Sequence, residues 1–285
     1  MTTQNALVAE RSNQITTAKI TPVAERELRN RASFRETIEH TMAMAYRTLL
    51  LIRRTPQQLF DVTVQPIVFT LMFTFLFGGA ISGSWQSYLP IIIPGTLVMT
   101  VITACMATGI QLREDMDRGV FNRFKSLPIA RIAPLTGALL TDMLRYGIAT
   151  ALTFLMGYLL GYHWASLGGA VLGAILVILA AWCISWIFAF LGTIARSAPF
   201  VQGVSSLVLF PLIFLSGAFV PTSTLPSLLQ AFVNVNPLTY IVSAIRELFN
   251  QGIIGNDFWF SLIGSLVVVI IFAPLALAAY LRKVK

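Results

Sequence analysis

Residues 62–112 read VTVQPIVFTLMFTFLFGGAISGSWQSYLPIIIPGTLVMTVITACMATGIQL, 51 positions between Asp61 and Arg113 without one charged side chain. A single transmembrane helix needs about 20 mostly apolar residues, so this stretch is long enough for two crossings joined by a short turn. The turn is visible within it: Gly78, Gly79, Ser82, Gly83 and Ser84 break the apolar run with residues suited to tight backbone geometry.

The same silence recurs from Tyr146 to Ala195 and from Ser197 to Ile245, and an apolar run closes the chain. The composition agrees. The 285 residues are 56% hydrophobic and 11% charged, with a mean hydropathy of +0.77, against about 25% charged in an ordinary globular domain. A soluble helical protein would need polar faces alternating with apolar ones, and the gaps carry too few strongly polar residues to supply them. The fold class expected is an all-α polytopic membrane protein. Six transmembrane helices are placed at about 62–80, 89–112, 139–162, 167–194, 200–220 and 258–281, together forming a domain over 57–285.

Orientation follows from the basic residues, which concentrate on the cytoplasmic side of membrane proteins. Nineteen of the 20 Lys and Arg residues fall on one side of this topology, and only Arg246, beside Glu247, falls on the other. Both termini are therefore expected in the cytoplasm, with the protein integral to the cell membrane. The net charge of +8 reads as a topology signal, and no interleaved basic and aromatic surface suggests nucleic acid. No cleavable signal peptide is expected from the polar first 40 residues. Cys105 and Cys183 lie in apolar spans without a partner motif, so neither a disulfide framework nor a metal site is expected.

The polar parts are organised as well. Residues 1–30 are expected to be a disordered cytoplasmic tail. Ser33 and Glu36 have capping-box spacing, and Ile38, Met42, Ala45, Leu49 and Ile52 recur at helical spacing. An amphipathic helix over 31–56 is expected, lying in the membrane interface or packed on protein. Thr55 and Pro56 then suit the start of the next helix. In the second connection, residues 113–131 read REDMDRGVFNRFKSLPIAR. Met116, Val120, Phe124 and Leu127 align on one face of a short helix that Pro128 ends, with Arg118, Asn122 and Lys125 opposite. Such a helix either floats in the interface or docks into a partner's groove.

The pattern D-x-x-R-G-x-x-x-R-F-x-S-L-P-x-x-R, formed by Asp115, Arg118, Gly119, Arg123, Phe124, Ser126, Leu127, Pro128 and Arg131, resembles the signature of type-2 ABC exporter permeases of the daunorubicin-resistance-like branch. Two further stretches are similar to that family: PLIFLSGAFVP at 211–221, and Asn236-Pro-Leu-Thr-Tyr240 with Arg246. The likeness covers about residues 35–285, and no motif conflicts with it. It implies a permease subunit without catalytic residues of its own. Its cytoplasmic helix, here 115–127 with Asp115, Arg118, Gly119, Val120, Phe121, Arg123, Phe124 and Leu127, would couple to a separate ATPase that binds the ATP and magnesium. It further implies an assembly of two permeases, expected to be identical, and two ATPases.

The residues independently limit the energy source. No G-x-x-x-x-G-K-[ST] phosphate loop occurs, so no ATP cradle of that kind is present in the chain. Ion-coupled transport uses ionisable groups within the membrane, and the candidates are few. Asp142 and Arg145, three apart on the third helix, read as a structural anchor near the cytoplasmic surface or as a proton relay. His163 falls in a short outer turn. Candidate pathway residues are apolar or weakly polar: Phe69, Phe73, Phe75, Phe77, Thr100, Thr103, Met106 and Phe214. They favour an amphipathic or hydrophobic cargo such as a drug, antibiotic or lipid-like compound. The alternatives are a polysaccharide or glycolipid exporter of the same broad plan, or an ion-coupled secondary transporter. Residues 221–250 are expected to be short helices re-entering from outside, with two further crossings as the competing reading.

Overall fold

A computed structural model describes residues 34–54, 56–119, 132–220 and 226–284. Ten helices occur among the described residues: α1 (Phe34–Arg54), α2 (Pro56–Ser82), α3 (Trp85–Ala104), α4 (Met106–Asp117), α5 (Ala133–Leu159), α6 (Leu167–Ile194), α7 (Ala198–Phe214), α8 (Ser227–Val235), α9 (Pro237–Asn250) and α10 (Asn256–Val284). Five segments are long and apolar enough to cross a membrane, or six if the bent pair α8–α9 is one broken span. The protein is a multi-pass, all-helical membrane protein.

Local sequence sets the helix ends. Serines precede three of the helices and their hydroxyls accept from backbone N–H groups: Ser84 from Ser87 (3.2 Å), Ser166 from Gly169 (2.9 Å) and Ser197 from Phe200 (3.4 Å). Each satisfies one of the donors that a helix start leaves unpaired. At the end of α5, Gly161 takes a left-handed φ of 79°. There the Tyr162 N–H reaches the Gly157 carbonyl (2.8 Å) and the Gly161 N–H that of Tyr158 (3.0 Å), the paired closure that glycine permits after a helix.

α3 is the central element, with Tyr88, Ile92, Ile93, Leu97, Val101 and Ile102 fully buried. α2, α5, α6 and α9 pack around it. α10 lies outside, against α6 and α9, and exposes Ile263, Leu266, Val267, Ile270 and Ile271. Within a bilayer that apolar surface gains nothing by burial, so helix association relies on close packing and interhelical hydrogen bonds. Both devices recur below.

Several elements differ from the sequence expectation. The second span continues through α4 to Asp117, interrupted only by a turn at Cys105. The third begins at Ala133, six residues before the expected start. The helix expected over 200–220 stops at Phe214, so it has 17 residues and is shorter than a full crossing. Pro211 removes one helical donor near its end, and Gly217 (φ 70°) turns the chain beyond it.

The helix expected over 115–127 is not continuous. Asp115 to Asp117 belong to α4, Arg118 caps it, and Gly119 adopts φ 67° with its N–H on the Met116 carbonyl (3.1 Å). A residue without Cβ takes this conformation at no steric cost, and it ends the helix where the sequence reading continued it. Residues 120–131 lie outside the described residues, as do 1–33 with Ser33 of the capping box, Thr55, and 221–225.

Candidate functional site

Two polar joints hold the helices in register. The first is where α4 packs against α5 and α6. The Thr108 hydroxyl donates to Asp142 Oδ2 (2.6 Å), and Arg145 Nη1 donates to Asp142 Oδ1 (3.0 Å). Tyr146 lies 3.5 Å from Thr108, oxygen to oxygen. Asp142 and Arg145 are each 6% exposed, so the pair that the sequence left between anchor and relay is sealed against α4. Buried charges require such pairing, because an unpaired ion in low dielectric costs several kcal/mol.

Close backbone contact supplies the rest of this joint. A Cβ on Gly109 of α4 would strike the Phe188 carbonyl of α6, and one on Gly192 would strike the Gly109 carbonyl. The two glycines therefore set how nearly α4 and α6 approach, the small-residue device of membrane helix pairs. Arg113 Nη1 donates to the carbonyl of Ala195 (2.9 Å) just past the end of α6, and pairs with Asp117. Arg118 pairs with Glu114 (3.2 Å) on the exposed side. α1 is tied alongside: it packs on α5, where Thr141 Oγ1 donates to the Ala45 carbonyl (3.1 Å) and Gly137 abuts Thr41, Met44 and Ala45. Its Ile38, Met42, Tyr46 and Leu50 stay exposed on another face.

The second joint gathers 211–220 and the α8–α9 corner, bringing together two of the motifs recognised in the sequence. α8 and α9 meet at Asn236 with a bend of 82°. Asn236 Nδ2 donates to the carbonyls of Leu212 (2.6 Å) and Leu215 (2.9 Å), which the end of α7 leaves without helical donors, while its Oδ1 accepts from the Leu238 N–H (3.0 Å) and caps α9. Thr239 and Tyr240 turn their hydroxyls back onto the carbonyls of Val233 (2.7 Å) and Asn234 (2.8 Å). Arg246 Nη2 donates to Gly217 O (2.9 Å) and Tyr88 OH to Phe219 O (2.7 Å). Gly95 of α3 admits the backbone of Ala218, whose carbonyl a Cβ there would strike.

The candidate pathway residues divide. Phe73 is buried and stacks on Phe69 (5.9 Å), Phe77 (5.5 Å) and Phe219 (4.5 Å), and Phe219 in turn meets Phe214 (5.2 Å). Phe69, Phe73 and Phe214 thus join one aromatic run linking α2 to the second joint, and Phe214 itself stays half exposed. Phe75 meets Trp85 instead (5.6 Å). Thr100 and Thr103 spend their hydroxyls on their own helix, at Thr96 O (2.8 Å) and Met99 O (2.6 Å), and Met106 is in the core. Of the residues expected to couple to an ATPase, Asp115, Arg118 and Gly119 stand at the tip of α4, whereas Val120, Phe121, Arg123, Phe124 and Leu127 lie outside the described residues.

The sequence reading did not single out Tyr88, Thr108, Gly109, Gly192 or Asn250. A usable signal existed for Asn250 alone: Pro94 inside α3 leaves the Pro90 carbonyl without its helical donor, and Asn250 Nδ2 fills that place at 2.9 Å.

A family model described as ABC-2 type transporter matches residues 39–250. The chain is 39% identical over 249 residues to the daunorubicin resistance ABC transporter permease protein DrrB1 of Streptomyces coeruleorubidus, covering 86% of this chain and 87% of that one. It is 27% identical over 219 residues to the putative transport permease ycf38 of Cyanophora paradoxa, with 75% of each covered. It is also 27% identical over 197 residues to the inner membrane transport permease YadH of Escherichia coli strain K12, 65% of this chain and 74% of that one. Both joints fall inside the matched region, and the chain belongs to the ABC-2 type transporter family.

Proposed function

We propose that this chain is the permease subunit of an ATP-driven exporter that moves an amphipathic or hydrophobic compound, such as a drug or antibiotic, out across the cell membrane. The observation that carries this reading is the likeness over most of both chains to a permease named for daunorubicin resistance. A partner ATPase binds ATP and magnesium. Two copies of the permease form a homodimer with two ATPases, and both termini face the cytoplasm, as the placement of 19 of the 20 basic residues favours.

In this reading the ATPase engages the segment from Asp115 to Leu127 and also α1. α4 supports the mechanism because it ends at that segment and is locked to α5 by Thr108 and Asp142 and to α6 by Gly109 and Gly192. Force applied below Gly119 therefore reaches three helices as one body. The outer joint at Asn236, Gly217 and Arg246 lies at the far end of the same framework and forms the exit. An aromatic run between α2 and that exit suits an apolar cargo.

The test is reconstitution of the chain with its partner ATPase, comparing wild type with Phe124→Ala. Loss of partner association or of cargo-stimulated ATP hydrolysis is expected. Unchanged assembly and transport in Phe124→Ala would remove the coupling assignment, and transport in vesicles lacking any ATPase would remove the ATP-driven one.

A further inference from the structure

A cavity of about 560 Å³ lies among α6, α7, α9 and α10, away from the aromatic run described above. α7 packs against α4 and α6, and α10 against α6 and α9, so α7 and α10 stand on either side of it. Its walls carry the rings of Phe188, Phe190, Tyr240 and Phe260, and no charged residue lines it. Ser205, 1% exposed, is also part of the wall, and its hydroxyl has no hydrogen-bond partner.

Gly264 marks the open side of one wall. At Gly109, Gly169 and Gly192 a Cβ would strike backbone of a neighbouring helix, so those glycines serve close packing. A Cβ at Gly264 would meet nothing within 4 Å, and Gly264 lines the cavity. Glycine in a helix interior costs about 1 kcal/mol relative to alanine, and here no close approach offsets that cost. A side chain larger than methyl at this position would extend into the space.

We infer that this cavity is a binding site within a single permease chain for an uncharged, ring-bearing amphipathic molecule of drug size, bordered by Gly264 and met by the Ser205 hydroxyl. The inference rests on the exporter reading and narrows its cargo class. The volume lies in the range of small-molecule sites, about 300–1,000 Å³, which are walled mainly by apolar and aromatic groups with few polar ones. Four rings suit stacking against a planar molecule better than contact with a saturated chain. An ionised group would enter without a counter-charge, a burial that low dielectric penalises. Val208 and Ile263 belong to the lining and are also exposed on the protein surface, so a molecule dissolved in the bilayer enters from the side.

Benzophenone is a suitable probe, being uncharged, two-ringed, equipped with one carbonyl acceptor and photoreactive. The full-length chain with its partner ATPase in nanodiscs is irradiated with it and the adducts are mapped by mass spectrometry. Adducts are expected on the α6, α7 and α10 peptides that form the wall. Gly264→Phe should reduce them about tenfold, as expected when a ring occupies the site, while Gly264→Ala should retain them. Ser205→Ala should weaken labelling about threefold, the loss of one modest hydrogen bond. Val208→Phe, which narrows the rim from α7, is a second filling variant if Gly264→Phe does not assemble. Labelling unaffected by either filling variant overturns the assignment. So does equal labelling of the same peptides by a phosphatidylcholine carrying benzophenone on its acyl chain, which would make this a lipid groove. Partner-dependent ATP hydrolysis, measured in the same samples, separates the two proposals. Its presence without wall adducts removes the cavity assignment alone, and its absence removes the exporter reading.

Discussion

Asn250 Nδ2 donates a 2.9 Å hydrogen bond to the carbonyl of Pro90, the acceptor that Pro94 leaves unfilled four residues along α3. Asn250 Oδ1 in turn accepts from Tyr162 OH at 2.6 Å. One side chain at the end of α9 thus joins the most buried helix to the turn after α5. Replacing it by Leu should lower stability by about 0.5–2 kcal/mol, the range for interhelical hydrogen bonds in membrane proteins. Tyr162→Phe should cost less, and the double variant should cost less than the sum of the two, because both remove members of one network. Thermal unfolding of the purified chain in lipid nanodiscs measures all three, and strict additivity would contradict the network.

The α4–α6 contact gives a sharper prediction. Gly192→Leu or Gly109→Leu drives a side chain into the backbone of the neighbouring helix, and the only relief is separation of α4 from α6. Loss of folded protein, or a drop of several kcal/mol in stability, is expected. Gly147→Ala is the control, since a Cβ there meets nothing within 4 Å, and alanine should be neutral or slightly stabilising. Comparable expression and melting of all three variants would show that the two glycines do not set the helix spacing.

Much of this architecture is legible in the chain because hydropathy and charge act locally. The charge-free runs mark the membrane segments, and Gly78, Gly79, Ser82, Gly83 and Ser84 mark the turn between the first two whatever the helices pack against. The pairings are different. Thr108 in an apolar helix reads like any small residue until Asp142 is placed beside it, and Asn236 reads as part of a family motif long before its reach to Leu212 and Leu215 is visible. The aromatic positions illustrate the same limit: Phe73 and Phe75 are two residues apart, yet one is buried in the run to Phe219 and the other meets Trp85. The continuous helix expected over 115–127 failed for a reason available in principle. The apolar spacing of Met116, Val120 and Phe124 favoured continuation, and it was outweighed at Gly119 by a backbone that turns left-handed.

Gly119 is accordingly a test of the coupling proposal. At φ 67° any L-residue with a Cβ is strained by about 1–2 kcal/mol, and alanine would favour extending α4 past Arg118. Gly119→Ala should leave the melting temperature of the permease alone nearly unchanged, because Gly119 is at a helix end and outside both polar joints. It should reduce cargo-stimulated ATP hydrolysis in the assembled complex by several-fold, since the segment that meets the ATPase would leave α4 in a different direction. Normal stimulation in Gly119→Ala would mean that the direction of this exit is immaterial to coupling.

The Asp142–Arg145 pair separates anchoring from proton transfer. As an anchor, its removal is a stability event: Asp142→Asn leaves the Arg145 guanidinium buried without a counter-charge, at a cost of about 3–5 kcal/mol. Asp142→Asn combined with Arg145→Met removes both charges and should recover most of that loss, because Thr108 keeps an oxygen partner on the asparagine. Transport by the double variant, reconstituted with its ATPase, should return in proportion to the folded protein. A proton relay makes the opposite prediction, with Asp142→Asn folded and as stable as wild type but inactive, and with the double variant equally inactive. The sealed geometry favours the anchor. Both groups are 6% exposed, they pair with each other, and Asp142 also accepts from Thr108, an arrangement that fixes α5 on α4 and leaves the ATPase as the source of power.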